Sequence, residues 1–261
     1  MVVLLDGKTV IITGVGAGLG RECVTRALDQ GANAVVAART QATLYDLIAE
    51  LDPDGKRTAA RATDITDADA CTALVDLAVE RFGTVDALVQ VAAYEMAWGG
   101  LHDADLDTWR TAFETNVLGA VTLVRPVARA MEAGGGGSIV LIGSQSAFKP
   151  PMPHAGYGAS KAALMTTMYY LADELGAHDI RCNMVVPSWM WGPPVQGYVQ
   201  MQARKKGVSE EEALHDIVGE FPLGRMTEDG EVADVVMFFA SDLSKAVTGQ
   251  HLLVNCGELM H

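Results

Sequence analysis

A short apolar run, Thr9-Val10-Ile11-Ile12, ends in Thr13-Gly14-Val15-Gly16-Ala17-Gly18-Leu19-Gly20, and a helical pattern over 18–30 follows at once. A strand that turns this sharply into a helix needs residues without a Cβ. The helix start then presents unpaired N–H groups and the positive end of its dipole. Glycines in this spacing, between a strand and a helix, suit the close approach of a pyrophosphate. A merely tight strand-to-helix turn is the plain alternative.

The same rhythm continues along the chain. Apolar, β-branched runs recur at 34–36, 85–91, 138–142, 180–186 and 251–254, with a weaker one at 57–62. Helical patterns lie between them, at 41–51, 67–82, 105–131, 157–177 and 230–240. Continuous apolar strands separated by amphipathic helices predict a parallel sheet covered on both faces. Right-handed crossovers make it doubly wound. No linker divides the chain, and the glycine run at 134–137 joins a helix to a strand. The expectation is a single domain over 1–261. Residues 192–224 break the rhythm just after a strand end, with Pro193-Pro194 and Phe221-Pro222. A substrate lid belongs there, and a surface helical pair without a role is the alternative.

Composition narrows the partners. Lys plus Arg total 19 and Asp plus Glu 33, a net charge of −14, which disfavours nucleic acid and anionic membrane surfaces. No apolar run reaches the roughly 18 residues of a membrane span. Residues 1–6 carry no basic region and lead straight into a strand pattern, unlike a signal peptide. The four cysteines, Cys23, Cys71, Cys182 and Cys256, are far apart. They suggest neither a zinc site nor a disulfide framework, and read as buried free thiols in a reducing cytoplasm.

The second expected strand ends in Ala38-Arg39-Thr40. An acidic residue at that place would accept the ribose hydroxyls of NAD. Ala38 stands there instead, and the Arg39 guanidinium can pair with a 2′-phosphate, so NADP(H) is preferred and NAD(H) remains possible. The other reading of Arg39 is a solvated helix start. Asp64, at the end of the third strand, is placed to accept from an adenine amino group, or to cap the next helix, a job Asp67 could also do.

Tyr157 and Lys161 are four residues apart on one helix face. A nearby ammonium favours the phenolate, so the pair predicts a tyrosine that exchanges a proton with a substrate oxygen. Ser144, 13 residues upstream at the end of the fifth strand, could hold that oxygen, with Ser146 a near rival. Asn116 sits inside a long helical pattern where asparagine is unfavourable, which suggests an internal hydrogen bond.

Taken together, these residues resemble the short-chain dehydrogenases/reductases, in the single-domain branch of about 250 residues. The matching elements are Thr13 to Gly20, Asp64, Asn116, Ser144, Tyr157 with Lys161, Asn183 to Pro187, and the closing Ala240-Ser241-Asp242 and Val247 to Gln250. The resemblance implies a Rossmann-like, seven-stranded parallel sheet and a catalytic group of Asn116, Ser144, Tyr157 and Lys161. It implies cofactor contacts from Thr13, Gly14, Gly16, Gly18, Leu19, Gly20, Arg39, Asp64, Ile65, Ala92, Tyr157, Lys161, Pro187 and Met190. Lys161 would also hold the nicotinamide ribose, and Asn116 would help keep a water in a proton relay. A homotetramer or homodimer is implied as well. The chain departs from the family at Gln90-Val91-Ala92-Ala93, at Ser188 after Pro187, at Gly192 where a threonine is usual, and at Asn255-Cys256-Gly257.

Around the expected nicotinamide mouth stand Tyr94, Met96, Trp98, Phe148, Met152, Trp189, Met190 and Trp191. They suit an apolar, bulky substrate, unless they serve core or subunit contacts. Gln145, Lys149 and His154 could add polar selectivity. The expected activity is the interconversion of an apolar ketone and a secondary alcohol with NADP(H). The alternatives are an NAD-dependent alcohol dehydrogenase and a non-catalytic NADP-binding sensor or scaffold. An enoyl reductase fits less well, since that chemistry in the family spaces its Tyr and Lys more widely.

Overall fold

The computed structural model describes residues 3–260; Met1 and Val2, in the segment compared above with a signal peptide, and the terminal His261 lie outside them. Seven strands form one sheet in the order β3-β2-β1-β4-β5-β6-β7. They are β1 (Thr9–Thr13), β2 (Asn33–Ala38), β3 (Thr58–Ala62), β4 (Ala87–Gln90), β5 (Gly137–Ile142), β6 (Ile180–Pro187) and β7 (His251–Val254). Every neighbouring pair is parallel. This is the doubly wound, Rossmann-like architecture that the strand rhythm and the resemblance implied. The weak run at 57–62 is a genuine strand at the sheet edge.

Helices cover both faces. On one lie α1 (Leu19–Asp29), α2 (Gln41–Leu51) and α9 (Asp229–Ala240), packed with Val10, Ile12, Val36, Val89 and Val140. On the other lie α3 (Ala68–Phe82), α5 (Ala120–Gly134) and α6 (Ala155–Leu175), packed with Ile11, Val35, Leu88, Ile139 and Leu141. Alternate residues of one strand thus feed two cores, as the two-residue period of a strand requires. The remaining helices are α4 (Leu106–Phe113), α7 (Pro193–Lys206) and α8 (Glu210–Val218). The last two fall inside 192–224 and pack on each other through Val199, Ala203 and Ala213. No helix of the described residues is long and apolar enough to cross a membrane.

Two boundaries differ from the sequence pattern. The stretch expected as one helix over 105–131 is α4 and α5 joined by a turn of π-helix, Glu114–Gly119. One wider turn adds a residue without ending the helical path, and hydrophobic spacing does not register it. The helix expected from 157 begins at Ala155, so Tyr157 and Lys161 are both well inside it.

The turn after β1 is tight for a steric reason. Gly14 has φ +69°, and a Cβ there would stand 2.3 Å from the Ala92 backbone nitrogen. Gly20 lies so close beneath it that its Cβ would be 2.4 Å from the Gly14 carbonyl oxygen. Gly14→Ala therefore strains φ and forces β1 and the loop after β4 apart. The expected loss is about 2–4 kcal/mol of stability, read as a lowered urea midpoint.

Candidate active site

The strand order reverses between β1 and β4, and there a cavity of about 920 Å³ opens at the carboxyl ends of the strands. An open α/β sheet binds ligands at such a switch point. Thr13, Gly14, Gly16, Arg39, Asp64, Ile65 and Ala92, all expected cofactor contacts, line this one cavity. Gly18, Leu19 and Gly20 form the helix start beside it, while Pro187 and Met190 are not part of its wall. Pro187 ends β6, and Met190 bridges to Thr227.

Three observations fit a dinucleotide here. A Cβ on Gly16 would meet nothing within 4 Å, so the loop faces open space. The N-terminus of α1 has no side-chain cap, which leaves its first N–H groups for an anion. The buried Thr13 hydroxyl has no hydrogen-bond partner among the described residues. Asp64 differs from its simplest reading. Its Oδ1 accepts from both the N–H and the hydroxyl of Thr66, at 3.0 and 2.8 Å. Those bonds, and then Arg39, hold its carboxyl below the usual range. Asp67 is the residue that caps α3, accepting from the N–H groups of Asp69 and Ala70.

The Gln90 departure is half satisfied locally, through its amide nitrogen. Its buried amide donates to the Ala92 carbonyl at 2.7 Å and so holds the loop that packs on Gly14.

Beyond this cavity, β5 and α6 bring Ser144, Tyr157 and Lys161 together. Lys161 is 2% exposed, and its ammonium donates to the Ile142 carbonyl at 2.8 Å. The same Nζ lies 5.6 Å from the Tyr157 ring centre. Ser144, not its rival Ser146, is hydrogen-bonded to the Tyr157 hydroxyl; Ser146 donates its backbone N–H to Ser144 Oγ at 3.2 Å. The electrostatics differ from the expected acidic phenol. Burial pushes Tyr157 up to about 12, the Ser144 hydrogen bond works against that, and the Glu95 carboxylate adds to it. Burial also lowers Lys161 to about 8, opposed by Glu95. In the chain by itself, desolvation outweighs the neighbouring amine.

Asn116 lies in the π turn, and its side chain is spent on structure. Its Nδ2 donates to the Tyr94 carbonyl at 2.9 Å and to Ser160 Oγ at 2.8 Å, while Oδ1 accepts from the Tyr94 N–H at 2.7 Å. Ser160 Oγ in turn donates to the Tyr157 carbonyl at 2.7 Å. Both amide hydrogens are therefore used. The side chain clamps the loop after β4 to α6.

The substrate side is partly rearranged relative to expectation. Trp98 stacks on His154 with ring centres 3.8 Å apart, and His154 stacks on Tyr157 at 4.7 Å. His154 Nε2 meets the Glu95 carbonyl at 2.5 Å; a carbonyl only accepts, so Nε2 carries the hydrogen. Burial keeps this ring's proton affinity low. Gln145 and Lys149 are tied to the C-terminal segment instead of standing free. Gln145 Oε1 accepts from Asn255 Nδ2 at 2.6 Å, and Lys149 lies 3.6 Å from the nearly buried Glu258 carboxylate. Glu258 also takes a short hydrogen bond from Ser188. Trp189 and Trp191 pack with Phe221 and Val218 beneath the 192–224 segment. Sequence reasoning missed Glu95 and Ser160. The serine between Tyr157 and Lys161 could have been found from its place on the same helix, whereas no local pattern marks Glu95.

Comparison with known proteins agrees with this geometry. A family model described as enoyl-(acyl carrier protein) reductase matches residues 14–258. The L-rhamnose 1-dehydrogenase (NAD(P)(+)) of Sphingomonas sp. (strain SKA58) is 33% identical over 256 residues, covering 97% of each chain. The trans-4-hydroxycyclohexanecarboxylate dehydrogenase of Sinomonas cyclohexanicum is 33% identical over 257 residues, covering 96% of this chain and 92% of its own. Among solved structures, the L-sorbose reductase of Gluconobacter frateurii, complexed with NADPH and L-sorbose, superposes with a TM-score of 0.92 at 27% identity over 100% of both chains. The chain belongs to the short-chain dehydrogenase/reductase family. It is an NAD(P)-dependent oxidoreductase of that family, acting between CH–OH and C=O. Its single helical turn between Tyr157 and Lys161 is the dehydrogenase spacing, despite the enoyl reductase description of the family model.

For this short-chain dehydrogenase/reductase the buried amine is a burden on folding. Lowering Lys161 from 10.5 to about 8 costs the native state on the order of 3 kcal/mol below pH 8. That cost is relieved as pH rises from 8 toward 10.5, because the native amine gives up its proton first. Lys161→Met is therefore expected to be at least as stable as the wild type at pH 7, and to lose this advantage by pH 10. Urea denaturation at the two pH values measures it.

Proposed function

We propose that this chain interconverts a ketone and a secondary alcohol, preferring NADP(H), on a cyclic substrate that lies with an apolar face against Trp98 and His154. The observation that carries the reading is the Tyr157 hydroxyl, bonded to Ser144 and backed by the buried Lys161 ammonium, beside a cleft that fits a dinucleotide. When bound, the nicotinamide supplies or accepts the hydride. Thr13, Gly14, Gly16, Gly18, Leu19, Gly20, Asp64, Ile65, Ala92, Pro187 and Met190 hold the dinucleotide, and Lys161 reaches its ribose. Ser144 donates to the substrate oxygen and orients it. Tyr157 gives that oxygen a proton in reduction and takes one away in oxidation. Lys161 favours the phenolate formed in the first case, and Asn116 keeps the loop carrying Tyr94 locked to the Tyr157 helix. The 192–224 segment acts as a lid. The acidic, thiol-bearing chain works in the cytoplasm as a homotetramer or homodimer, with exposed Phe113, Leu118 and Tyr170 available for subunit contact.

A second reading of the substrate is a sugar. Glu95 lines the cavity and acts electrostatically on both Tyr157 and Lys161, and a carboxylate there can accept from hydroxyl groups. The names of relatives include a sugar and a hydroxycyclohexane acid. A panel of cyclohexanols and aldoses separates the two.

Tyr157→Phe removes the proton donor and leaves the cleft intact. Turnover is expected to fall by about 10²–10⁴-fold, with NADPH affinity, followed by its fluorescence, nearly unchanged. Wild-type turnover in that variant would overturn the assignment. Arg39→Ala removes the charge placed for a 2′-phosphate. It should weaken NADPH about tenfold relative to NADH, and equal losses for both cofactors would refute the NADP preference.

A further inference from the structure

Asp229 opens α9, and its carboxylate lies between the start of α1 and the turn before α7. A Cβ on Gly18, at the start of α1, would lie 3.5 Å from Asp229 Oδ2, and a Cβ on Gly192, before α7, would lie 3.4 Å from it. This oxygen therefore sits within contact distance of both backbones. Asp229 is half-buried, and among the described residues no hydrogen bond or ion pair engages its carboxylate. The groups around it are mostly negative. Glu22 faces it from α1, and Glu228 precedes it on its own element. Arg26 of α1 lies against Gly230 but is bound to Asp234 at 2.8 Å. Arg225 is bound to Glu231 at 2.6 Å. The base of α7, Pro193 and Pro194, carries no charge.

The start of α1 is also where an anion is drawn by the open N–H groups. A diphosphate there meets the carboxylate, and two anions at such range repel. A carboxyl that holds its proton instead donates to a phosphate oxygen. Burial, Glu22 and Glu228 already push this carboxyl's proton affinity upward.

We propose that Asp229 is a cofactor-binding residue that faces the dinucleotide's diphosphate and takes up one proton from solvent as the dinucleotide binds. The inference rests on the dinucleotide reading of the cleft. The diphosphate raises the carboxyl's proton affinity further, so the bound state holds more proton than the free one. Affinity therefore falls as pH rises above the free carboxyl's range, until the bound carboxyl also ionises. A cofactor held in this way loosens as pH rises.

The test uses NADH, which lacks the separately titrating 2′-phosphate, and follows its fluorescence on the whole chain between about pH 6 and about pH 9. The wild-type Kd is expected to rise roughly three- to tenfold across that range. Asp229→Asn keeps a polar donor but cannot titrate. Its Kd should lose this rise, and at the basic end it should bind about tenfold more tightly than the wild type. Asp229→Ser, a good residue at a helix start, should lose the rise too, and decides the matter if the asparagine variant folds poorly. Calorimetry in two buffers of different ionisation heat should show proton uptake in the wild type alone. Parallel pH profiles for wild type and both variants would overturn the proposal while leaving the cleft a dinucleotide site. Absence of NADH binding in the wild type at every pH would overturn both.

Discussion

Lys161 carries a charged amine into the interior and meets one backbone carbonyl there, that of Ile142 at the end of β5. Burial of an ammonium is tolerated only where its hydrogens find oxygen. The bond fixes α6 against the sheet at one place, and Tyr157 is one helical turn away on the same face. Ser144 follows Ile142 by two residues, so the strand that accepts from Lys161 also delivers the hydroxyl that reaches Tyr157. The grouping of Ser144, Tyr157 and Lys161 thus depends on the β5–α6 contact more than on any one side chain. The same desolvation that makes Lys161 costly makes the phenol reluctant to ionise. A positive charge brought close by an oxidised nicotinamide would lower the proton affinity of the phenol.

Much of this was legible in the chain itself, because it follows from period and sterics. Alternating apolar runs and amphipathic stretches specify a parallel sheet with two cores, and Gly14 and Gly20 mark a turn where backbones touch. Tyr157 and Lys161 share a face because a helix repeats every four residues or so. What stayed hidden depends on contacts between segments far apart. The π turn around Asn116 adds one residue to a helical path without altering its apolar face. The stack of Trp98, His154 and Tyr157 joins a loop after β4 to the start of α6. Gln145 and Lys149 follow Ser144, and their partners Asn255 and Glu258 stand at the far end of the chain. The electrostatic error has a similar origin, since helix spacing reports the distance between an amine and a phenol but not the water each has lost.

The departures from the family pattern are compensated within the chain. Gln90 donates to the Ala92 carbonyl and keeps the cavity wall against Gly14. Ser188 bonds Glu258, and Asn255 bonds Gln145, so the segments after β5, β6 and β7 are tied to one another at the mouth of the site. A chain that had given up catalysis would have no physical need to hold these loops in register around an intact Ser144, Tyr157 and Lys161. The ties explain how Ser188 and Asn255 can differ from the family pattern without opening the site.

Polar groups that break local rules are concentrated at one end of the sheet. The buried Thr13 hydroxyl and the Gln90 side-chain amide oxygen, on paired positions of β1 and β4, have no partner among the described residues. Asn116 interrupts a helix, Lys161 is charged and buried, and Asp229 is half-buried among other acids. At the opposite end of the sheet the buried Thr9 hydroxyl also has no partner among the described residues, but other buried polar groups there are satisfied. Ser138 donates to the Phe239 carbonyl, and Arg181 to Phe239, Ser241 and Ser244. The two apolar cores hold the sheet from both faces, and the cleft opens where the strand order reverses.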